Sequence, residues 1–578
     1  MAAFVLIHQN KARQDGFEAK QSEALDILAN KQRLPASGVF ELGDYTLYLY
    51  KKRYHDAENY ALFPEGGFIA STGSLIYKGR YGKEGLQQAY LDFQAGQRIE
   101  RECRGNYCLI IKQGEKLWIC RDYYGNHPVY CDAGFQVITT SFLIASLLQP
   151  RLSVAREEFY EYLLEGHWCG ETTLFHEVQL LPRGMFLELG AGTRKPFELE
   201  YPSLRGKKYG ECLETVAHVL ESQFSAIASA FPTIKSALSG GYDTRLMLAI
   251  LLKLGTTPRL HVNGLPDSAD VRCAKAIGEG MGIPVQVVHF YEEFALAPAD
   301  YHDFLMNRFY QFDGLGAVGV FDQYSDLEYQ LKHLEPNTAF LHGCGGELYR
   351  EVWNTPDLPI SLDAFIIAQH DKGGIAHIFN GYSKKQYLAH QKRRAMEIMG
   401  KQDEHISRAD VELLDRLRLN SLPFTIGTFQ QLYPIVKPFS EYGIMEASME
   451  IPIRYKLWGK FQKDLIRIFN ARLTSFMSAY GYTFDQQVPL RQRLKEGMVL
   501  YSPLRLRPFL RKLKKSRKLP IKHYSQDLLA PEIVRAVLPG KPERIAPFLK
   551  VENITDDGIR SKALTLELFF RKLNVEPV

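Results

Sequence analysis

Ser239-Gly240-Gly241-Tyr242-Asp243-Thr244 gathers in one short run the groups that a bound diphosphate needs. The two glycines let the backbone turn sharply and come close to a ligand. A helix starting directly after them would present unpaired N–H groups and a positive dipole end to an anion. Ser239 and Thr244 add hydroxyl donors, and Asp243 supplies a hard oxygen suited to Mg²⁺. The run is not the GxxxxGK[ST] phosphate loop, which requires a lysine and lacks this aspartate. Gly-Gly turns often do no more than join a strand to a helix. Here Ser, Asp and Thr at phosphate-facing positions favour binding.

A second glycine loop, His342-Gly343-Cys344-Gly345-Gly346-Glu347, also follows a strand-like stretch, AFLHG (339–343). If both strands lie in one sheet, Glu347 faces the diphosphate from the side opposite Asp243. The two carboxylates could then clamp Mg²⁺ carried by ATP. Taken alone, the second loop reads equally well as a glycine-rich turn with a solvated glutamate.

The elements around these loops point to an α/β arrangement. TIKSAL (233–238), PRLHV (258–262) and PVQVVHF (284–290) read as short apolar strands, separated by helical text at 245–254 and 268–280. That alternation predicts a parallel sheet with helices on both faces, and ligands then sit beyond the carboxyl ends of the strands. The first third is β-rich, with strand text at 4–8, 39–50, 74–77, 106–111 and 116–120. A helix follows at Arg156–Glu165, and the segment 190–208 lacks periodicity and reads as the boundary. The expectation is one domain over 1–195 and a second over 205–578.

Composition sets the bounds. The 578 residues are 46% hydrophobic and 24% charged, enough to build large cores and too ordinary for a disordered chain. Lys plus Arg number 71 against 66 Asp plus Glu, a net +5 that argues against a dedicated nucleic-acid binder. No apolar run reaches the ~20 residues of a membrane span, and the N-terminal stretch is too short for a signal peptide. The expectation is a cytoplasmic protein. Cys103, Cys108, Cys120 and Cys131 fall in strand text at spacings unlike a zinc site, so the eight cysteines read as reduced thiols.

Several motifs in order resemble the asparagine synthetase family: SALSGGYDTRLMLAILLKLG, HVNGLPDSADVRCAKAIGEGMGIPVQVVHF, the HGCGGE loop, and KPFSEYGIMEASMEIP (437–452). Upstream, RGNYCLIIKQGEKLWICRDYYGNHPVY (104–130) and ETTLFHEVQLLPRG (171–184) resemble segments of that family's glutaminase-type domain. The resemblance implies an N-terminal αββα sandwich of the N-terminal-nucleophile (Ntn) type, followed by a parallel-sheet PP-loop ATP pyrophosphatase domain with a helical C-terminal part. It implies ATP and Mg²⁺ as cofactors. The diphosphate would be held by Ser239, Gly240, Gly241, Tyr242, Asp243 and Thr244 on one side, and by Gly343, Gly345, Gly346 and Glu347 on the other. Asp243 and Glu347 would meet the metal, and His261 to Gly264, Val262 among them, would contact adenine or ribose through the backbone.

The departures from that family narrow the function. Its glutamine-using members carry a cysteine directly after the initiator methionine, where this sequence has Ala2, so no glutamine hydrolysis is expected. The amine-using branch, the β-lactam synthetases and lasso-peptide macrolactam cyclases, shows the same loss. Cys344 stands where ammonia-using members have Glu, and reads as a weak base or a small filler. Thr244 replaces the family's Ser, and Arg245 follows it as an added phosphate contact. Members also use a lysine near the diphosphate, for which Lys463 and Lys495 are the candidates by position.

The reading is an AMP-forming amide ligase that joins a carboxylate to an amine on a small-molecule or peptide substrate. An ammonia-dependent amidotransferase and a non-catalytic nucleotide-binding homologue remain as alternatives. The run RLRPFLRKLKKSRKLPIK (505–522) carries nine basic residues and no acidic one. It reads as a solvated loop, or as a site for an anionic partner or, with Leu and Phe between the charges, for a membrane surface.

Overall fold

The computed structural model describes residues 3–288, 296–322, 334–371, 375–420, 429–504, 507 and 526–576. Ala2 and the basic segment, Arg507 excepted, lie outside the described residues.

The β-rich first third forms two six-stranded antiparallel sheets. The strand text at 39–50 folds as a hairpin, Ala36–Leu42 with Tyr45–Tyr50, because Gly43-Asp44 supplies the turn. KQGEK turns Tyr107–Gln113 into Lys116–Arg121 as the spacing predicts. Alternate residues of both sheets meet in one core, Phe4, Leu6, Leu47 and Leu49 against Phe68, Ile110, Ile119 and Leu187. The outer face of the first sheet is covered by helices Phe17–Asp26, Phe142–Leu147 and Arg156–Glu165, and that of the second by Lys83–Gln94. The layering is therefore helix, sheet, sheet, helix.

After residue 208 the sheet type changes. Strands β1 (Ile234–Ala237), β2 (Arg259–Asn263), β3 (Val285–Val288), β4 (Ala339–Leu341) and β5 (Ile435–Val436) form one parallel sheet in the order β3-β2-β1-β4-β5. One face carries Ile234, Leu260, Val262, Leu341 and Val436. It packs on helices α1 (Tyr209–Ala230), α2 (Asp243–Lys253), α3 (Ala269–Met281) and α4 (Lys460–Asn470).

The opposite face mixes polar and apolar residues. Among the described residues it presents Lys235, Ala237, His261, Asn263, Gln286, Val288, Phe340 and Ile435 to a cavity of about 780 Å³. Polar residues stand at alternate positions of that face along β1, β2 and β3.

The packing does not follow the boundary at 190–208. The C-terminal helix α5 (Asp557–Lys572) buries Phe569 and Phe570 in the same core as Phe142, Phe159 and Phe175 of the first third, and Leu528 to Leu549 join them. The last fifty residues thus belong with the N-terminal layers. A second seam runs beside the parallel sheet, where the Arg53 and Tyr54 amides donate to the carbonyls of Gln431 and Leu432.

Candidate functional site

The SGGYDT run leaves the carboxyl end of β1 and enters α2 at Asp243, and HGCGGE leaves the adjacent strand β4. The β1–β4 pairing therefore brings both loops to one edge of the sheet, as ligand sites in parallel sheets require.

The first loop is closed on itself. The Ser239 amide donates to Thr244 Oγ1 at 3.0 Å, and the two hydroxyls lie 3.1 Å apart. The Gly241 amide donates to Ser239 Oγ at 3.2 Å, and the Gly240 amide donates to Asp270 Oδ1 at 2.9 Å. Asp270, in the first turn of α3, thus holds with its carboxylate an amide that an anionic ligand would otherwise take. A further turn covers the loop: the Ala479 amide donates to the Gly240 carbonyl at 3.0 Å.

Asp243 is the junction between the two loops. Gln462, fully buried on α4, donates through Nε2 to Asp243 Oδ1 at 2.8 Å and to the Gly346 carbonyl at 3.0 Å. Gly346 sits so close that an added Cβ would lie 2.7 Å from Asp243 Cβ, so only glycine lets the loops approach. Arg350 Nη2 pairs with Asp243 Oδ2 at 3.0 Å. Burial pushes the Asp243 carboxyl up and the Glu347 charge adds to this, while Arg350 and Gln462 pull it down. Glu347 Oε2 accepts the Gly345 amide at 2.9 Å.

Asp243, Thr244, Gly343, Cys344, Glu347 and Arg350 line the mouth of the cavity. His261, buried in the cavity wall, is pushed down to about 4 chiefly by burial, whereas His342 is exposed. His261 Nδ1 is buried there without a hydrogen-bond partner. His342 Nδ1 accepts the Cys344 amide at 3.2 Å.

Five residues singled out by sequence have their side chains outside the cradle. Arg245 is not a phosphate contact: it is fully buried, donates to the carbonyls of Leu473, Phe476 and Met477, and stacks on Phe484 at 4.4 Å. It anchors the turn that covers the glycine loop. Tyr242 points away from the cradle, stacked on Phe484 at 4.1 Å and bonded to the Tyr482 hydroxyl. The Val262 side chain packs under the helices, so only its backbone faces the strand ends. Lys463 donates to the Gln486 carbonyl at 3.3 Å and does not line the cavity, and Lys495 is exposed.

Sequence reading missed Gln462, Asp270 and Arg350. Gln462 is one position from Lys463, one of the two candidate lysines, on a helix where one residue turns a side chain by about 100°. Arg350 follows the acidic end of a glycine loop and could have been marked as a cation within reach of it.

The two carboxylates suit a hard cation that takes its remaining oxygens from phosphate and water. Among the described residues no group of three or more His, Cys, Asp or Glu could hold a metal unaided.

No family model and no curated protein matches the chain. Solved structures do match. One is an allosteric regulatory enzyme of purine biosynthesis (8% identity, 50% of this chain and 80% of that one, TM-score 0.22). Another is a glutamine phosphoribosylpyrophosphate amidotransferase from B. subtilis complexed with ADP and GMP (8% identity, 61% and 77%, TM-score 0.22). Likeness at that level assigns neither family nor activity. Among the described residues no helix is long and apolar enough to cross a membrane, and the cysteines are free, all but Cys344 buried.

Proposed function

We propose that the chain is an ATP-dependent, AMP-forming amide ligase of the asparagine synthetase type, with a PP-loop synthetase half behind an Ntn-type sandwich. The observation that carries this reading is the bridge at Asp243. Two glycine loops from adjacent parallel strands meet there, with Glu347 close enough to raise the Asp243 carboxyl and Gln462 joining both loops.

In this reading a substrate carboxylate oxygen attacks the α-phosphorus of ATP, the α–β bridge bond breaks, and diphosphate leaves with an acyl-adenylate behind. Asp243 and Glu347 would hold Mg²⁺, which neutralises charge on the leaving diphosphate. Ser239 and Thr244 would orient it through their hydroxyls, and the Gly240 and Gly241 amides would join on leaving Asp270 Oδ1 and Ser239 Oγ. An amine then attacks the acyl carbon, loses a proton, and AMP departs. The cavity beyond the loops, walled by Phe340, Tyr433 and Ile435, would take the acyl and amine partners, and the backbone at His261 to Gly264 would meet adenine or ribose.

Pyrophosphate release from Mg-ATP across a panel of carboxylates and peptides tests the reading. Release without glutamine that Asp243→Ala lowers by about 10²–10³-fold supports it. Nucleotide binding with no release for any substrate favours a non-catalytic homologue, and glutamate formed from glutamine refutes the choice of nitrogen donor.

A further inference from the structure

The loop mouth is rich in negative charge. Asp243, Glu347 and Asp270 are three carboxylates facing the place where a polyanion would sit, and neither candidate lysine reaches it. Arg350 does. Its Nη2 lies 3.0 Å from Asp243 Oδ2, its guanidinium carbon 5.5 Å from the centre of the Tyr242 ring, and it lines the cavity beside Glu347. Its Nε is buried with no hydrogen-bond partner, so part of the donor fork is unused.

We propose that Arg350 is the diphosphate-binding cation of this site, and that it changes partner: it holds Asp243 while the site is empty and donates to diphosphate oxygens when they arrive. This inference rests on the acyl-adenylation reading above. A guanidinium fork matches two phosphate oxygens at once, which a lysine cannot do. Releasing Asp243 frees its Oδ2 for a divalent cation as the diphosphate binds, so cation and anion enter together. Arg350 therefore has opposite effects on the two ligands offered separately, favouring the anion and competing with the cation.

The test uses the full chain and two probes, Mn²⁺ alone and inorganic pyrophosphate with Mg²⁺, each followed by calorimetry. Arg350→Ala is expected to weaken pyrophosphate tenfold or more and to tighten Mn²⁺. Arg350→Lys is expected to recover part of the pyrophosphate affinity and also guards against a variant that fails to fold. Wild-type pyrophosphate affinity in Arg350→Ala overturns the inference alone. So does a parallel fall in both affinities with a lower melting temperature, which marks a structural role. A wild-type chain that binds neither pyrophosphate nor ATP overturns the parent reading as well.

Discussion

The Ala479 amide donates to the Gly240 carbonyl at 3.0 Å, tying the first glycine loop to a turn far downstream in the chain. An added Cβ on Gly240 would stand 2.6 Å from Ala479 Cβ and 2.7 Å from its nitrogen. Gly240→Ala must push one main chain aside. A displacement of that order costs about 10²-fold in a positioned reaction. Pyrophosphate release should fall by that factor while the circular-dichroism spectrum stays unchanged.

Arg245→Met separates anchoring from phosphate contact. The variant leaves the Leu473, Phe476 and Met477 carbonyls without this donor, at about 1–3 kcal/mol for each left buried and unpaired. A lower unfolding midpoint and faster amide exchange across 473–482 are expected. A variant with wild-type stability that loses only phosphate binding would restore Arg245 to the cradle.

Gln462 and Lys463 are neighbours with opposite expectations. Gln462→Ala removes the bridge from Asp243 to the Gly346 carbonyl, a hydrogen bond to a charged group worth about tenfold to a hundredfold in rate. Lys463→Ala removes a contact to the Gln486 carbonyl and should leave pyrophosphate release unchanged. Steady-state assays of the two purified variants decide it.

Two buried groups bend the pH profile of stability in opposite senses. His127, bonded to Gln430 and Thr72, is pushed down to about 3 chiefly by burial, against about 6.5 in an unfolded chain. Between those values the unfolded chain binds the extra proton, so this contribution is lost as pH falls. Glu441, which accepts the Gly105 amide, is pushed up to about 7 chiefly by burial, against about 4.3 unfolded. There the folded chain holds the extra proton, so stability falls as pH rises through that window. Urea midpoints from about pH 4 to 8 should show His127→Gln flatter than wild type on the acid side. Glu441→Gln should gain on wild type as pH rises.

Much of this architecture is written locally. Hairpins at 36–50 and 107–121 follow from Gly43-Asp44 and from KQGEK, and the strand–loop–helix at 233–254 follows from a short apolar run, two glycines and an apolar helix. The strand and helix alternation after residue 230 predicts the parallel sheet that forms, with Leu260, Val262 and Leu341 turned to the helices. Strand Phe68–Gly73 escaped, since FIASTG shows no period-2 pattern when both of its faces are buried.

By itself the sequence determined the two glycine loops, the carboxylate at the end of each and the strands that carry them, because turn chemistry and hydrophobic period act over a few residues. Only the tertiary structure decided that Gln462 rather than Lys463 reaches Asp243, that Arg245 holds a turn while Arg350 faces the cavity, and that residues 528–575 complete the N-terminal core. Those outcomes depend on which side chain a helix turns toward a neighbour brought close by the chain's long-range path. Local sequence carries no term for that.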